Sequence, residues 1–558
     1  MVRPIRSAGS GGNPLVGSQR RRIVASATAG LTALLTMGSA GLFGVSGAQA
    51  DTMETVIVTS TGTLSPVTAV LDVGGTVLTQ YTIINAVKAS ILTSEESALD
   101  AMPGVWVSQD VAVNVESTAV STGPHTPSDA FLGQTGATQA AQAGDTGKGA
   151  TVAVMDTGID SLPDFSGRLI GGVDLSGEGN PFQDSYGHGT FVAGLIAGNG
   201  ASSGGQYSGE APGANLVSVK VAGASGSTDL GNLISGLQWV VNNRSTYAIN
   251  VLNLSLGFQP TESVFHNPLD MAVERVWNSG IAVVASAGNA GPFNGTILSP
   301  GDDPLVITVG AIDDMAQANV ANDEMTDFSS VGPTSPDGIV KPDLVTSGRS
   351  VVSLAAPGST IYSNYPSALI GTSNFVGSGT SFSAAITCGA AALVLAAHPG
   401  DVPNQVKAAL IATTYAGPVG NPFADGHGVL NAYAAAGEST SVIYNQSTAG
   451  LSPTANGSTV SLSPTGSTVD TWNGQSWNGQ SWNGQSWNGQ SWNGYSWSGQ
   501  SWNGQSWNGQ SWNGQSWNGA EWNGQSWNGQ SWNGQSWNGS AWTGQSWNGQ
   551  SWNGSAWS

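Results

Sequence analysis

Between residues 137 and 438, nearly unbroken apolar runs recur, separated by stretches with helical spacing. The runs are ATVAVMD (150–156), ANLVSVKV (214–221), INVLNLSL (249–256), GIAVVASAG (280–288) and LVITVGAI (305–312). A strand wet on one face alternates apolar with polar residues; a strand covered on both faces does not. Helical patterns at 188–198, about 228–243 and about 268–279 lie between the runs. This order predicts an α/β fold, a mostly parallel sheet between layers of helices. In such sheets substrates meet the carboxyl ends of the strands.

Several polar residues fall at those ends. Asp156 closes TVAVMD, and His188 lies in GHGT at the start of a helical run. Asn289 follows the strand-like VVASAG, and Ser381 stands in GTS, just before the helical FSAAITCGAAALVLAAH. Taken singly, each has an ordinary reading: a serine at a helix start caps it, and an aspartate after a strand makes a turn. Together they are what nucleophilic acyl transfer requires. A serine hydroxyl needs a histidine to take its proton, and a carboxylate to hold the imidazole's tautomer and stabilise its cation. A carboxamide and a helix N-terminus would supply donors to the oxyanion. The order Asp, His, Ser is that of subtilisin and not of chymotrypsin or the α/β-hydrolases.

The blocks around these residues resemble those of the subtilisin-like serine peptidases: VAVMDTGID (152–160), YGHGTFVAGLIAG (186–198), LNLSLG (252–257), VVASAGN (283–289) and SGTSFSAAITCGAAAL (378–393). NPFQD (180–184), GEAPGANLVSVKV (209–221) and GHGVLNA (426–432) fit as well. The resemblance spans about 140–435 and implies a three-layer subtilisin-like fold and a serine endopeptidase. It implies Asp156, His188 and Ser381 as the triad and Asn289 as oxyanion donor. Ser255, Leu256 and Gly257, with Ser286, Ala287 and Gly288, would flank the peptide substrate as added strands. Residues 55–116, notably ALDAMPGVWVSQD, resemble the family's inhibitory prodomain.

The chain also departs from the family pattern. Phe191 stands where a second histidine is common, and Phe382 and Ala385 replace a usual methionine and proline. No cofactor is required. The family's strong calcium site would have Asp164 as a ligand here, but the loop 199–208 lacks its other carboxylates and amides. Ser383 is expected to point about 200° around the helix from Ser381, and Cys388 to be a small core residue. A rival set in α/β-hydrolase order, Ser381, Asp401 and His427, lacks the G-x-S-x-G turn.

The remaining segments divide the chain. Residues 1–50 read as a secretory signal: QRRRIV, an apolar stretch, then AQA before Asp51. The arginine pair also resembles a twin-arginine signal. Residues 51–120 are expected to be the α+β prodomain, with Ser94 capping a helix, and to be cut between Val115 and Thr135. The peptidase domain follows (121–437), then a Ser/Thr/Gly linker (438–470) and an SWNGQ repeat (471–558). All tryptophans but Trp106, Trp239 and Trp277 fall in the repeat, and Glu521 is its only acid. Such a tail reads as a flexible low-complexity segment, as an attachment to cell-envelope glycans or other tails, or as a folded repeat stack. The net charge of −21 repels nucleic acid, so the expected partners are polypeptide substrates and the chain's own prodomain.

Overall fold

A computed structural model of the protein describes residues 51–115 and 126–438, with dipeptide strands beyond. The signal expected over 1–50 lies outside the described residues, as does most of the linker.

The N-terminal unit runs β1 (Met53–Ser60), α1 (Pro66–Asp72), β2 (Thr76–Tyr81), β3 (Ala86–Leu92), α2 (Glu96–Asp100) and β4 (Val105–Gln109). Its sheet has the order β2-β3-β1-β4. Val56, Val58, Val70, Ile91 and Leu99 form a core of its own. The expected cap does not form. α2 begins at Glu96 with Glu95 before it, and the Ser94 hydroxyl donates to Asp51 instead. A free carboxylate offers a charge-assisted acceptor. β5 (Ala112–Val115) then leaves this sheet and joins the larger unit.

The described residues resume at 126, within the interval where the cut is expected. α3 (Phe131–Gln134) buries Phe131 fully, and α4 (Ala137–Gln142) follows. Next come β6 (Thr151–Asp156), β7 (Leu169–Asp174), α5 (His188–Ala197), β8 (Asn215–Lys220), β9 (Ser227–Asp229) and α6 (Leu230–Tyr247). They are followed by β10 (Val251–Leu254), β11 (Leu256–Gly257), α7 (Pro268–Asn278), β12 (Ala282–Ser286), β13 (Ile307–Asp313) and β14 (Glu324–Met325). The unit closes with β15 (Leu344–Ser347), β16 (Val351–Leu354), α8 (Thr360–Asn364), β17 (Leu369–Ile370), β18 (Asn374–Gly377), α9 (Thr380–Ala397), α10 (Pro403–Ala412) and α11 (Ala432–Ala436).

The main sheet has the order β14-β13-β12-β10-β6-β8-β7, with β15 also on β13. Every pairing is parallel except β13 with β14. β6, β10 and β12 are buried along their whole length, as their unbroken apolar runs require. α9 is long and apolar enough to cross a membrane, yet it is buried inside the protein from Thr380 to Leu395. It packs against the sheet and so carries its first turn to the strand ends.

Beyond residue 438 the described elements run from Ser452–Pro453 to Ala556–Trp557. In the repeat, dipeptide strands twenty residues apart pair in parallel and in register, as Trp472 with Trp492 and Trp537 with Trp557.

Candidate active site

β6 delivers Asp156 as its last residue, and α5 begins with His188. The imidazole Nδ1 lies 2.8 Å from one Asp156 oxygen and 2.9 Å from the other. Both side chains are buried. Asp156 Oδ1 also accepts the Thr157 amide at 2.8 Å. The approach depends on glycine: a Cβ at Gly189 would fall 2.2 Å from the Gly158 carbonyl oxygen and 3.2 Å from Asp156 Cβ.

A second carboxylate, Asp184, holds this turn. It accepts the amides of Gly187 and Thr190 and the Thr157 hydroxyl, each at 2.7 Å. The Thr157 hydroxyl in turn accepts the Gly189 amide at 2.9 Å. Burial pushes the Asp184 carboxyl upward, and these donors oppose the shift. Asp184 closes NPFQD, and nothing in that block marks it as a support for His188. Its signal was its place four residues before His188.

Ser381 sits in the first turn of α9. Its hydroxyl reaches the Ser255 carbonyl at 3.3 Å, and the Ser255 hydroxyl donates to the Ser381 carbonyl at 2.8 Å. This reciprocal pair ties the helix start to the end of β10. The next residue, Phe382, places its ring 5.6 Å from the His188 imidazole and 4.4 Å from Phe191. Two of the three substituted positions, Phe191 and Phe382, thus pack on each other beside His188. Beside them opens a cavity of about 140 Å³, bounded by Gly187, His188, Phe191, Tyr362 and Phe382.

Asn289 lies just past β12. Its carboxamide oxygen accepts the Thr380 amide at 2.9 Å and lies 3.1 Å from the Thr380 hydroxyl. With the oxygen so engaged, the Nδ2 group is directed away from Thr380. The Gly288 amide donates to the same Thr380 hydroxyl at 3.1 Å.

The other candidates point elsewhere. The Ser383 hydroxyl is bonded to the carbonyls of Thr346 and Ser347, both at 3.1 Å. Cys388 is fully buried, and burial pushes its thiol up to about 12, so it holds its proton. His427 Nδ1 is engaged by the Asp343 carbonyl at 3.0 Å, and His398 Nε2 by that of Ala436 at 3.0 Å. His266 stacks on Trp106, with 3.9 Å between ring centroids. His125 lies outside the described residues.

β11 carries a strand of the chain itself. β5 pairs with it antiparallel, Val115 opposite Leu256 and Asn114 opposite Gly257. On its other side β5 pairs with β9, Ser227–Asp229, and not with Ser286–Gly288. The period-two signal of so short a strand is too weak to find from sequence. Charges anchor this arrangement. Lys88 Nζ lies 2.6 Å from Asp110 and 3.0 Å from Asp229, and Asp110 accepts the Gly231 amide at the start of α6.

Asp164 is buried, and its Oδ2 accepts the Ser202 amide at 3.1 Å and the Ser202 hydroxyl. Hard dications take six to eight oxygens. Among the described residues no three His, Cys, Asp or Glu side chains converge as metal ligands.

A carboxylate, an imidazole and a hydroxyl at the carboxyl ends of a parallel sheet, beside a carboxamide, define a serine peptidase of the three-layer α/β class. Comparison with known proteins narrows the class. The Subtilase family model, Peptidase_S8, matches residues 147–433, and the chain belongs to this family. Serine protease AprX of Bacillus subtilis (strain 168) is 43% identical over 267 residues, which cover 47% of this chain and 60% of that protein. Subtilisin E of the same strain is 32% identical over 418 residues, 73% of this chain and 96% of that protein. Among solved structures, fervidolysin from Fervidobacterium pennivorans, a keratinolytic enzyme related to subtilisin, shares the fold. The match has a TM-score of 0.56 and 22% identity, and covers 70% of this chain and 62% of that one.

Proposed function

We propose that the protein is a secreted serine endopeptidase made as a zymogen, with Asp156, His188 and Ser381 as its triad. The observation that carries this reading is the His188 Nδ1 contact with both Asp156 oxygens, in the fold where Ser381 opens the central helix. With Nδ1 committed to Asp156, Nε2 is the nitrogen that takes the Ser381 proton as the hydroxyl attacks a peptide carbonyl. Asn289 Nδ2 and the amides at the start of α9 stabilise the oxyanion. The leaving amine takes the proton back, and water repeats the cycle on the acyl-enzyme. Leu256–Gly257 and Ser227–Asp229 hold the substrate as an added strand. Residues 51–115 act as the inhibitory prodomain, and their pairing with β11 supports this. The repeat tail attaches the enzyme to a surface or insoluble polymer; its in-register tryptophan strands support a multivalent contact. Labelling with a serine-reactive fluorophosphonate tests the core of the reading. Label should enter wild type at Ser381 and be absent from Ser381→Ala. A wild-type chain that takes no label and cleaves no peptide would be a binding protein on an inactive scaffold.

A further inference from the structure

A fully buried lysine stands where the strands of the main sheet end. Lys220 closes β8 and pairs with Asp156 of β6 on one side and with Asp174 of β7 on the other. Its ammonium lies 2.7 Å from Glu178 Oε2, donates to the Gln183 carbonyl at 2.6 Å and reaches the Ser185 hydroxyl at 3.4 Å. An ammonium has three donors, and here all of them go to one segment, 178–185. The Glu178 carboxylate also accepts the Ser185 hydroxyl at 2.5 Å and the Ala224 amide at 2.9 Å. Burial would raise that carboxyl, but Lys220, Ser185 and the Ala224 amide hold it at about 2.

Gln183 and Ser185 are the chain neighbours of Asp184, so Lys220 grips the segment on both flanks of that residue. The Asp184 carboxylate accepts the Gly187 and Thr190 amides and the Thr157 hydroxyl around His188. Its own amide donates to Asp160 Oδ1 at 2.7 Å. Glycine makes the approach possible. Gly158 has φ +108°, and a Cβ there would fall 2.7 Å from the Gln183 carbonyl oxygen and 3.2 Å from Lys220 Cδ. Gly158 is thus in contact with Lys220 and Gln183 as well as with Gly189, the residue after His188.

An ordinary buried lysine neutralises a carboxylate, and Glu178 alone satisfies that need. The bonds to either flank of Asp184 go beyond it. Nor does the segment depend on Lys220 to stay folded. The Ser218 hydroxyl donates to the Pro181 carbonyl at 2.7 Å, the Asn180 amide to Asp174 at 2.7 Å, and the Thr360 amide to the Ser185 carbonyl at 3.0 Å.

We infer that Lys220 is a positioning residue for the triad: it fixes residues 183–185, so that Asp184 holds the amides of the His188 turn and the imidazole keeps its place on Asp156. The inference rests on the reading of Asp156 and His188 as catalytic groups. Lys220 touches neither substrate nor the reacting atoms; it acts through Asp184.

Kinetics of full-length Lys220→Met, which fills the space without the donors, test this. Counted per Ser381 that takes a fluorophosphonate at saturation, kcat should fall about 10- to 100-fold, since a slightly misplaced catalytic group loses much of its rate. KM should stay within about twofold, because the substrate strands are untouched. The proton between His188 Nδ1 and Asp156, read by far-downfield NMR without substrate, should shift or broaden, which a loss of stability alone would not cause. Lys220→Met combined with Asp184→Asn should cost little more than Asp184→Asn alone, because the two residues act in series. Additive losses would overturn the inference, and so would a Lys220→Met chain that melts lower but keeps its kcat and its proton signal. If Lys220→Met does not fold, Glu178→Ala decides in its place, since the same carboxylate holds both the ammonium and Ser185. A kcat loss of about threefold or more at constant KM supports the role, and an unchanged kcat overturns it. An active wild type whose kcat survives these changes overturns the inference alone. A wild type that neither cleaves peptide nor takes label overturns the peptidase reading with it.

Discussion

The Thr380 amide, at the head of α9, donates to the Asn289 side-chain oxygen at 2.9 Å. The residue beside Ser381 therefore orients the candidate oxyanion donor, and the two are set by one helix end. Asn289→Leu should lower kcat by about 10²–10³ with little change in KM, because the lost donor acts on charge that develops in the transition state. Thr380→Val keeps the backbone amide and should cost much less. Steady-state kinetics on a short peptide separate the two, and a KM effect alone in Asn289→Leu would move the residue to substrate binding.

Ser381→Ala and His188→Ala should each abolish turnover to a similar residual rate, since the groups act as a unit. Cys388→Ala should remain active. Ser383→Ala should also turn over, at a stability cost of about 1 kcal/mol for its bonds to Thr346 and Ser347. A dead Ser383→Ala beside a live Ser381→Ala would reverse the assignment.

Asp184→Asn should lower kcat through the His188 turn, because an amide cannot accept from Gly187, Thr190 and Thr157 as a carboxylate does. Thr157→Ser keeps the hydroxyl and should retain most of the rate, whereas Thr157→Val should not. A larger loss in Thr157→Ser than in Thr157→Val would point to methyl packing instead of the hydroxyl.

Glu210 is 1% exposed, and of the groups around it only the Thr135 hydroxyl opposes the effect of burial on its carboxyl. Burial pushes it up to about 8 from the ordinary 4.5. The native state thus holds a proton that the unfolded chain releases, so stability is full below about pH 4.5 and is lost as pH rises through about 8. Glu210→Gln should flatten that slope and melt above wild type at pH 8. Melting curves from pH 5 to 9 that run parallel for the two proteins would show that Glu210 does not carry the slope.

The N-terminal unit should stay attached when Ser381→Ala is made alone, as N-terminal sequencing of secreted protein would show. Normal processing of that variant would assign the cut to another peptidase. Lys88→Met removes a charge shared by Asp110 and Asp229 and should speed loss of the unit at low salt.

The parts legible from sequence were those whose signal is local. β6, β8, β10, β12 and β13 announce themselves because strands buried on both faces cannot alternate. Asp156, His188, Ser381 and Asn289 stand at element ends, where polar residues are conspicuous. β7 was missed because LIGGVD is half exposed and interrupted by glycine, made necessary by neighbours distant in sequence: a Cβ at Gly171 would fall 2.3 Å from Tyr247. β9 was missed because its strand character comes only from pairing with β5. The contact of Lys407 with Asp343 joins residues far apart in the sequence, so no local pattern marks it, whereas Lys341 stands two residues from the same carboxylate. Ser94 had the right type and place for a cap but found Asp51, which lies on a strand-side segment 43 residues away.

β5, laid between Leu256–Gly257 and Ser227–Asp229, belongs to the same chain as the strands it pairs with, and in the proposed zymogen it is a competitor of substrate there. A tethered competitor has an effective concentration set by the length and stiffness of its connection, not by how much protein is present. Dilution cannot lift it, and crowding the enzyme with substrate displaces it only at levels above that local value. The delay before activity should therefore be first order in enzyme at the outset, the same for one molecule alone as for many. It should then shorten as the first molecules freed begin to cut the tethers of their neighbours.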